Sequence, residues 1–458
     1  MKIVMTGATG FIGRKLARRL IAEGHEVVAL TRNVERARRV LPFRCVAHPW
    51  DPARGTEPAT IRTADAIVNL AGEGIADRPW TPARKRAIRE SRLTGTRGLV
   101  QAIAGLPAEA RPRRLISASA IGYYGDRGDD QLDEDSPPGD DFLAAVCQAW
   151  EQEAFAAEKL GVRTAVVRIG VVLGKEGGAL HKMLPPFRLG FGGRLGSGRQ
   201  WMSWVHLDDL IGLFVYTIGH AEAAGAINGV APAPVTNAAF TTALGHAVHR
   251  PALLPVPALA LRLALGEMST VLLASARVLP RAAERLGFQF RYPHVAGALA
   301  DLCSDSSHEL EYEQWLAGEP DEIFAFFSAA RNLEQITPDF LHFRVLSSTT
   351  PELREGTCIN YRLSLHGIPV RWQSRIESWE PHRRFVDVQT RGPYKLWRHT
   401  HEFEPCNGGT LIRDRVRYEL PLGAIGDVVA GGLVARDLQA IFEFRRKKME
   451  ELFEPRGA

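Results

Sequence analysis

The chain has 458 residues, of which 45% are hydrophobic and 24% are charged, and its formal net charge is +5. This length and apolar content predict two or three globular domains with sizeable cores. The mild positive charge comes with no recognised nucleic-acid-binding module, so we expect no nucleic-acid partner. The five cysteines show neither the paired spacing of a metal site nor a disulfide pattern, which predicts a reducing compartment and no metal. Because no signal peptide is recognised and no apolar run approaches the length of a membrane span, we expect a cytoplasmic protein.

The first chemical signal follows a strand predicted over residues 2–5. Residues 6–13 read TGATGFIG and lead directly into an amphipathic helix. In this context Gly7 permits a tight turn, Gly10 lets backbone N–H groups approach a pyrophosphate, and Gly13 allows the helix to pack on the sheet. The sequence therefore predicts a dinucleotide site, with a structural glycine turn as the alternative. The predicted cofactor contacts are Thr6, Gly7, Gly10, Phe11, Ile12 and Gly13.

The second strand, over residues 26–30, is followed by Thr31 and Arg32. A carboxylate at this position binds the free ribose 2′-hydroxyl of NAD, whereas a guanidinium suits the 2′-phosphate of NADP. We therefore predict NADP as the cofactor, with Thr31 and Arg32 among its contacts. The alternative is that Arg32 is an ordinary surface arginine.

Strands predicted over 66–70, 114–119 and 164–169 alternate with helices, which indicates a Rossmann-type, doubly wound parallel sheet with its ligand crevice at the carboxyl ends of the strands. Small residues after the strand over 66–70 let a loop close over the cofactor. The further residues assigned to the cofactor pocket are Ala71, Gly72, Glu73, Arg78 and Arg168.

Three segments resemble the epimerase branch of the extended short-chain dehydrogenase/reductase superfamily: TGATGFIG at 6–13, NLAGE at 69–73 and SASAIGYYG at 117–125. Other segments, among them 79–96 and 184–210, narrow the resemblance to the epimerase family proteins, over about residues 1–300. The resemblance implies an NADP-binding Rossmann domain at 1–248. It also implies a helical segment at 249–302 that closes a small substrate lobe.

The superfamily's reaction uses a Tyr-x-x-x-Lys pair, in which the ammonium lowers the pKa of the phenol so that it can exchange a proton with substrate. Aligned with the family, this chain has Leu143 in place of the tyrosine and Cys147 in place of the lysine. The serine that usually holds the substrate oxygen is present as Ser119. Leucine cannot transfer a proton, and we expect Cys147 to be inert.

The substitute catalytic candidates are Tyr123, Tyr124 and His206, each with a structural alternative. Buried tyrosines usually stack or form hydrogen bonds. His206 lies in a segment that caps a helix in related chains, although a histidine is well suited to proton transfer at neutral pH. The glycine-rich loop over 190–198 fits either a flexible flap over the substrate or plain turn chemistry.

A linker is predicted at 303–307, and the pattern after it is α+β. Strands are predicted at 308–316, 357–366, 370–380, 383–389, 397–404 and 410–419, with helices at 320–328 and 433–453. Residues 319–341 resemble the START-like, or SRPBCC, superfamily of polyketide cyclases and carriers of small apolar ligands. The resemblance implies a helix-grip domain at 308–458.

A sheet that wraps round a helix leaves a cavity, which we expect to hold an apolar or aromatic ligand. The candidate wall residues are Trp372, Trp379, Tyr394, Trp397 and His399, with the hydrophobic core as the alternative place for aromatic side chains.

The first interpretation is an NADP(H)-dependent oxidoreductase or epimerase that acts on a small hydroxyl or carbonyl substrate and is fused to an apolar-ligand-binding domain. The second is a catalytically degenerate NADP(H)-binding sensor. The missing Tyr and Lys favour the sensor, whereas the intact glycine turn and Ser119 favour the enzyme.

Overall fold

The computed structural model describes residues 1–54, 58–304 and 307–453. The chain forms two compact units, Met1–Ser304 and Asp305–Ala458. Of the linker predicted over 303–307, residues 305 and 306 lie outside the described residues. None of the helices within the described ranges is long and apolar enough to cross a lipid bilayer.

The first unit contains both long sheet strands and short strand pairs. In chain order its strands are Lys2–Thr6 (β1), Glu26–Thr31 (β2), Cys45–Pro49 (β3), Ala66–Asn69 (β4), Arg114–Ala120 (β5), Gln131–Leu132 (β6), Arg163–Ile169 (β7), Val171–Leu173 (β8), Trp201–Met202 (β9), Trp204–His206 (β10), Gly225–Gly229 (β11), Val235–Thr236 (β12) and Arg277–Val278 (β13).

Helices alternate with these strands and then dominate the end of the unit. They are Phe11–Ala22 (α1), Val34–Val40 (α2), Pro58–Ile61 (α3), Pro82–Ala104 (α4), Phe142–Phe155 (α5), Gly178–Arg188 (α6), Leu207–Gly219 (α7), Asn237–Ala247 (α8), Ala258–Leu265 (α9), Thr270–Leu273 (α10), Arg281–Arg285 (α11) and Val295–Cys303 (α12).

The main sheet of the first unit has seven strands in the order β11-β7-β5-β4-β1-β2-β3. All of its neighbouring strands are parallel. Its central strands are buried on both faces because helices cover the sheet on both sides. The strand order reverses between β1 and β4, and in such sheets the ligand crevice lies at the carboxyl ends of the strands at that point. The predicted doubly wound parallel sheet is confirmed.

The second unit is one antiparallel sheet with two helices. Its elements are His308–Leu316 (β14), Pro320–Ser328 (α13), Arg344–Ser348 (β15), Cys358–Leu365 (β16), Ile368–Glu380 (β17), Arg384–Arg391 (β18), Leu396–Cys406 (β19), Gly409–Glu419 (β20) and Ala424–Leu452 (α14). The strands are ordered β14-β20-β19-β18-β17-β16-β15. Leu438, Phe442 and Met449 of α14 pack on the sheet, so the predicted helix-grip architecture is confirmed.

Two elements of the second unit differ from the sequence prediction. Strand β15 was not predicted, because it is a short edge strand whose side chains are mostly exposed and lack an alternating pattern. Helix α14 begins at Ala424 rather than at 433. The first turns of this helix contain Gly426, Gly431 and Gly432. Because glycine has a low helix propensity, the sequence did not predict a helix there.

Candidate functional site

The turn between β1 and α1 leaves no room for side chains. Gly7 has φ +66°, and a Cβ there would lie 2.6 Å from the carbonyl carbon of Leu70. A Cβ on Gly13 would lie 2.2 Å from the carbonyl oxygen of Gly7. Helix α1 begins after Gly10 without a side-chain cap, so the N–H groups of its first turn point out of the helix end with no intrahelical acceptor. Backbone donors and the helix dipole therefore form an anion cradle at the strand-order reversal.

The ring of Phe11 packs beside this cradle against the chain around Gly174 and Gly177. A Cβ on either glycine would lie 2.6 Å from the ring. Ile12 is half-buried and packs on the main core. Of the two predicted contacts, Phe11 thus packs beside the glycine turn, and Ile12 packs towards the hydrophobic core.

Arg32 follows the last residue of β2, whose Leu30 is in register with Thr6 of β1. Thr31 Oγ1 accepts a hydrogen bond from the N–H of Asn33 at 3.2 Å, and Asn33 in turn caps α2. Arg32 is exposed, and within the described part of the chain its guanidinium has no hydrogen bond or ion pair. A charged group is therefore available next to the cradle.

The loop after β4 is tied to β1 through buried side chains. The hydroxyl of Thr6 donates to Asn69 Oδ1 at 2.7 Å and accepts from the N–H of Ala71 at 3.2 Å. Thr6 is fully buried, and its carbonyl also accepts from the N–H of Leu70 at 3.3 Å, so this residue fixes the start of the loop.

Further along this loop, Glu73 is held by contacts with α4, whereas Gly72 and Arg78 are exposed. Glu73 pairs with Arg84 of α4 at 3.0 Å, and its backbone N–H donates to Ser91 at 3.1 Å. Gly72 and Arg78 are exposed, and Arg78 forms no contact with another described side chain. Glu73 is therefore held against α4, whereas Arg78 is exposed to solvent, and the part of both residues in the cofactor pocket stays a prediction.

A buried ion pair lies beside Ser119. Ser119 of β5 is opposite Arg168 of β7 in the sheet register, and Glu151 of α5 covers both. The Ser119 hydroxyl donates to Glu151 Oε1 at 2.7 Å. Arg168 donates to both oxygens of Glu151, each at 2.9 Å. The guanidinium of Arg168 is thus engaged in a buried ion pair, and its predicted contact with the cofactor stays a prediction.

The two neighbouring tyrosines of the 3₁₀ turn Ile121–Tyr124 differ in their surroundings. Tyr124 is fully buried, and its hydroxyl accepts from Arg168 at 3.0 Å and donates to Asn228 at 2.8 Å. Burial raises the pKa of Tyr124 to about 12. Tyr123 is half-buried with the guanidinium carbon of Arg168 3.5 Å from its ring centroid, and its hydroxyl has no partner among the described residues. Of the two, Tyr123 alone presents a free phenol.

Leu143 and Cys147 lie against the same turn, since a Cβ on Gly122 would lie 3.2 Å from Leu143 Cβ and 3.9 Å from Cys147 Sγ. Burial and the negative charge of Glu151 raise the pKa of Cys147 to about 11. The thiol is therefore protonated at neutral pH, as expected for an inert cysteine.

Sequence reasoning missed Arg92 of α4. Its guanidinium donates to the carbonyl of Ile88 at 3.0 Å and lies over the Trp150 ring. A Cβ on Gly72 would be 3.2 Å from Arg92 Cζ, and Arg92 lies close to Cys147. Burial lowers the pKa of Arg92. The available signal was its spacing of four residues from buried Ile88 and buried Thr96, which places an arginine on the inner face of the helix.

His206 is a helix cap. Its Nδ1 accepts from the N–H of Asp208 at 3.1 Å at the start of α7, and its ring stacks on Tyr292 at 4.0 Å. Its Nε2 lies 3.4 Å from Asp301. Burial lowers the pKa of His206 below the usual histidine value. These contacts match the structural alternative, with His206 itself as the capping residue.

The loop over 190–198 is held in place by backbone hydrogen bonds. Leu254 donates to Gly192 at 3.1 Å, Val256 donates to Arg194 at 2.9 Å, and Gly196 donates to Val256 at 2.8 Å. A Cβ on Gly193 would overlap the carbonyl of Leu254. Close backbone approach therefore explains Gly193, and positive φ angles explain Gly190, Gly196 and Gly198. The backbone hydrogen bonds hold this loop against residues 254–256.

The second unit encloses a cavity of about 160 Å³. Four of the predicted wall residues line it: Trp372, Tyr394, Trp397 and His399. Trp379 packs instead in the core against Phe324 and Phe385, with ring centroids 5.0 and 5.4 Å apart. Most of the other lining residues are aliphatic or aromatic, so the cavity suits an apolar ligand.

Three segments of the chain match known protein families. Residues 3–228 match the NAD dependent epimerase/dehydratase family, 256–302 match a domain of unknown function, DUF1731, and 316–444 match the polyketide cyclase / dehydrase and lipid transport family. An epimerase family protein SDR39U1 homolog, chloroplastic, from Arabidopsis thaliana is 45% identical over 299 residues, which are 65% of this chain and 86% of that relative. Epimerase family protein YfhF from Bacillus subtilis (strain 168) is 38% identical, over 67% of this chain and 99% of its own.

Two solved structures share 36% identity with the chain. Human epimerase family protein SDR39U1 (isoform2), solved with NADPH, has a TM-score of 0.60 and covers 67% of this chain and 100% of its own. A nucleoside-diphosphate sugar epimerase from Corynebacterium glutamicum has a TM-score of 0.53 and covers 66% of this chain and 58% of its own. These matches confirm both resemblances drawn from the sequence. The chain therefore belongs to the epimerase family proteins of the NAD dependent epimerase/dehydratase family, and it carries a C-terminal domain of the polyketide cyclase / dehydrase and lipid transport family.

Proposed function

We propose that the first unit binds NADP(H) at the carboxyl ends of β1, β2 and β4. The observation that carries the proposal is the glycine cradle beside an exposed Arg32 whose guanidinium has no partner among the described residues. The cradle suits a pyrophosphate because the uncapped N–H groups and the dipole of α1 attract an anion, and Arg32 suits a 2′-phosphate because its donors are unused. The human relative that was solved with NADPH supports the same choice of cofactor.

Titration of NADPH and NADH by fluorescence tests this step. We expect NADPH to bind more tightly, and Arg32→Ala to weaken NADPH binding roughly thirtyfold, about 2 kcal/mol, because a charge-assisted contact is lost. NADH binding should stay the same in that variant. Arg36→Ala removes an exposed arginine from the neighbouring helix and is the matched control. Equal affinity for the two cofactors, or equal losses in the two variants, would refute the assignment.

We further propose that the unit reduces or oxidises a small carbonyl or hydroxyl compound. When bound, NADPH supplies a hydride to a carbonyl carbon. The free hydroxyl of Tyr123 then donates its proton to the carbonyl oxygen, and the phenolate regains a proton from water. The guanidinium carbon of Arg168 lies 3.5 Å from the centroid of the Tyr123 ring and so holds the ring in place for this step.

Ser119 is suited to only one kind of contact. Because its proton is donated to Glu151, the oxygen is left with lone pairs that accept a hydrogen bond from a substrate hydroxyl. Ser119 is only 3% exposed, so that contact needs a substrate that reaches the end of β5. The residue therefore favours an alcohol over a carbonyl at its own position.

A second candidate function is an NADP(H)-binding module without turnover. It is supported by Leu143 and Cys147 at the usual catalytic positions and by the Ser119 hydroxyl that is already bonded to Glu151. NADPH oxidation measured against a panel of aldehydes, ketones and nucleoside-diphosphate sugars separates the two functions. Turnover with any of them that requires Tyr123 supports the enzyme, whereas tight NADPH binding with no turnover supports the module.

For the second unit we propose that an apolar or aromatic small molecule binds in the cavity. The mostly apolar lining and the match to the polyketide cyclase / dehydrase and lipid transport family support it. Calorimetry of the full chain with fatty acids, isoprenoids and aromatic polyketides should give binding with a negative heat-capacity change, because apolar surface is buried. Trp397→Ala should weaken it, whereas Trp379→Ala acts on the core. Failure of every ligand class to bind would refute this part.

A further inference from the structure

Four titratable side chains share one face of three adjacent strands in the second unit. They are Asp387 on β18, His399 and His401 on β19, and Asp414 on β20. Asp387 is in register with His399, and Asp414 is in register with His401. Because residues two apart on a strand share a face, and directly opposed residues do as well, the sheet register itself assembles the cluster.

The two imidazoles turn one nitrogen each to the same aspartate. Asp414 Oδ1 lies 2.9 Å from Nε2 of His399 and 2.8 Å from Nδ1 of His401. The remaining nitrogens face Asp387 Oδ2, at 3.3 Å for Nε2 of His401 and 3.7 Å for Nδ1 of His399. Asp387, His399 and His401 line the cavity, and Asp414 lies behind them.

These distances fit a common ion. One atom from each of Asp387, His399 and His401 lies within 4.8 Å of the other two. Ligand atoms around a tetrahedral ion with bonds of about 2.0–2.1 Å are about 3.3–3.4 Å apart. Small side-chain rotations therefore bring the three atoms into contact with one ion, and they leave its remaining positions towards the cavity.

The groups behind the three side chains match those that support metal ligands. A metal-binding histidine usually donates its second ring N–H to a carboxylate, which fixes the ring and its tautomer. Asp414 is placed to accept from both imidazoles. The hydroxyl of Ser374 donates to Asp387 Oδ1 at 3.2 Å, and Trp372 Nε1 donates to that hydroxyl at 3.0 Å. Each potential ligand is thus oriented by its own partner.

The electrostatics of the cluster favour a cation. Two buried aspartates face the two imidazoles, and Arg445 is a cationic side chain among the described residues that line the same cavity.

We propose that Asp387, His399 and His401 bind a divalent transition-metal ion at the cavity wall, with Asp414 as a positioning residue. Two imidazoles and one carboxylate are ligands that suit Zn²⁺ and Fe²⁺. An ion with an open position towards the cavity would coordinate and polarise a carbonyl or hydroxyl oxygen of the bound ligand.

Metal analysis of the full chain tests the proposal without any variant. Protein purified without chelators should contain about one equivalent of Zn²⁺ or Fe²⁺, and elemental analysis tells which. After removal of the metal, Co²⁺ should produce visible absorption bands that saturate at one equivalent and disappear when Zn²⁺ displaces it. Protein that contains no metal and shows no Co²⁺ bands would overturn the proposal, and the cluster would then be a structural ion-pair network.

Variants then locate the ion. His401→Ala and Asp387→Ala should abolish the Co²⁺ bands, and Asp414→Asn should weaken Co²⁺ binding about 10–100-fold, because it removes the partner of both imidazoles. His366→Ala is the matched control, since His366 pairs with Asp437 at 2.8 Å elsewhere in the same unit. Bands that persist unchanged in His401→Ala would overturn the assignment. NADPH titration of the same samples reports the first unit, so failure of this site is distinguishable from failure of the cofactor proposal.

Discussion

Each unit buries a cluster of charged side chains, and the two clusters differ in how completely the protein uses their hydrogen-bonding groups. In the first unit Glu151 and Arg168 balance each other's charge, and Ser119 and Tyr124 take up further bonds. In the second unit two aspartates share two histidines, and three of the four side chains form the wall of a cavity. The first cluster is complete within the fold, whereas three side chains of the second cluster line the cavity.

Burial alone therefore does not identify a functional site. Glu151 and Asp414 are both buried carboxylates, yet the charge of Glu151 is matched by a bidentate arginine and the charge of Asp414 is directed at two imidazoles. Mutations should separate these two situations. Removal of a member of the complete cluster should reduce stability, whereas changes at free groups should alter binding or turnover with little effect on stability.

The largest effect is expected for Glu151→Ala. It leaves the Arg168 guanidinium buried without its partner, which costs about 3–5 kcal/mol of unfolding free energy. Glu153 on the same helix pairs with the half-exposed Arg97, so Glu153→Ala should cost at most about 1 kcal/mol. Urea unfolding of both variants measures the difference. Similar losses in the two variants would show that the Glu151–Arg168 pair is not the structural centre of the unit.

Tyr123→Phe should act on turnover instead. If the Tyr123 phenol is the proton donor, its removal should slow carbonyl reduction about 100-fold, which corresponds to about 2.7 kcal/mol of barrier. The affinity for NADPH should not change, because Tyr123 is not part of the glycine cradle. Single-turnover rates and NADPH titrations measure the two quantities separately. An unchanged rate would remove Tyr123 from the proposed chemistry.

Tyr124→Phe should reduce stability rather than turnover, and the expected effect is smaller than that of Glu151→Ala. The Tyr124 hydroxyl bridges Arg168 and Asn228, so its loss leaves two buried polar groups short of a partner and costs about 1–3 kcal/mol. The same deletion at Tyr123 should change stability by less than about 0.5 kcal/mol, since that hydroxyl is free. Thermal unfolding of the two variants provides the comparison. Equal stability would contradict the distinction drawn between the neighbouring tyrosines.

The sequence predicted those features of the fold that depend on local patterns. The glycine turn is defined by neighbouring residues, and the strands of the second unit have an alternating pattern that gave most of their bounds to within two residues. The polar edge strand Arg344–Ser348 has no such pattern, and the glycines near the start of α14 conceal its first turns. Secondary structure can therefore be predicted from the sequence only where the residue types and the pattern of burial both favour the element that forms.

The buried clusters could not be predicted because their members are distant in sequence. Ser119 and Glu151 are 32 positions apart, and Tyr124 and Asn228 are 104 apart. His399 and His401 share a strand, but only the register with β18 and β20 brings Asp387 and Asp414 to them. No metal site was predicted from the sequence because only the cysteine spacing was considered, and the third proposed ligand, Asp387, lies on a different strand from His399 and His401.

The smallest effect is expected for Cys147→Ala. Because burial and the Glu151 charge raise the pKa of Cys147 to about 11, only about one molecule in a thousand carries the thiolate at pH 8. The thiol is then neither a base nor a nucleophile, so turnover and NADPH affinity should stay as in the unaltered chain. The expected loss of stability is about 1 kcal/mol, from the small cavity that the sulfur leaves.

Alkylation of the native chain at pH 8 checks the same point without a substitution. Iodoacetamide should modify the partly exposed Cys358 and Cys406 and leave Cys147 and Cys45 intact, because burial raises the pKa of Cys45 to about 12 as well. Peptide mass spectrometry resolves the four sites. Rapid alkylation of Cys147, or a loss of turnover above about a hundredfold in folded Cys147→Ala, would mean that the region beside Ser119 opens to solvent and that the thiol takes part in the chemistry. The first unit's cluster would then be an incomplete site like the one in the second unit.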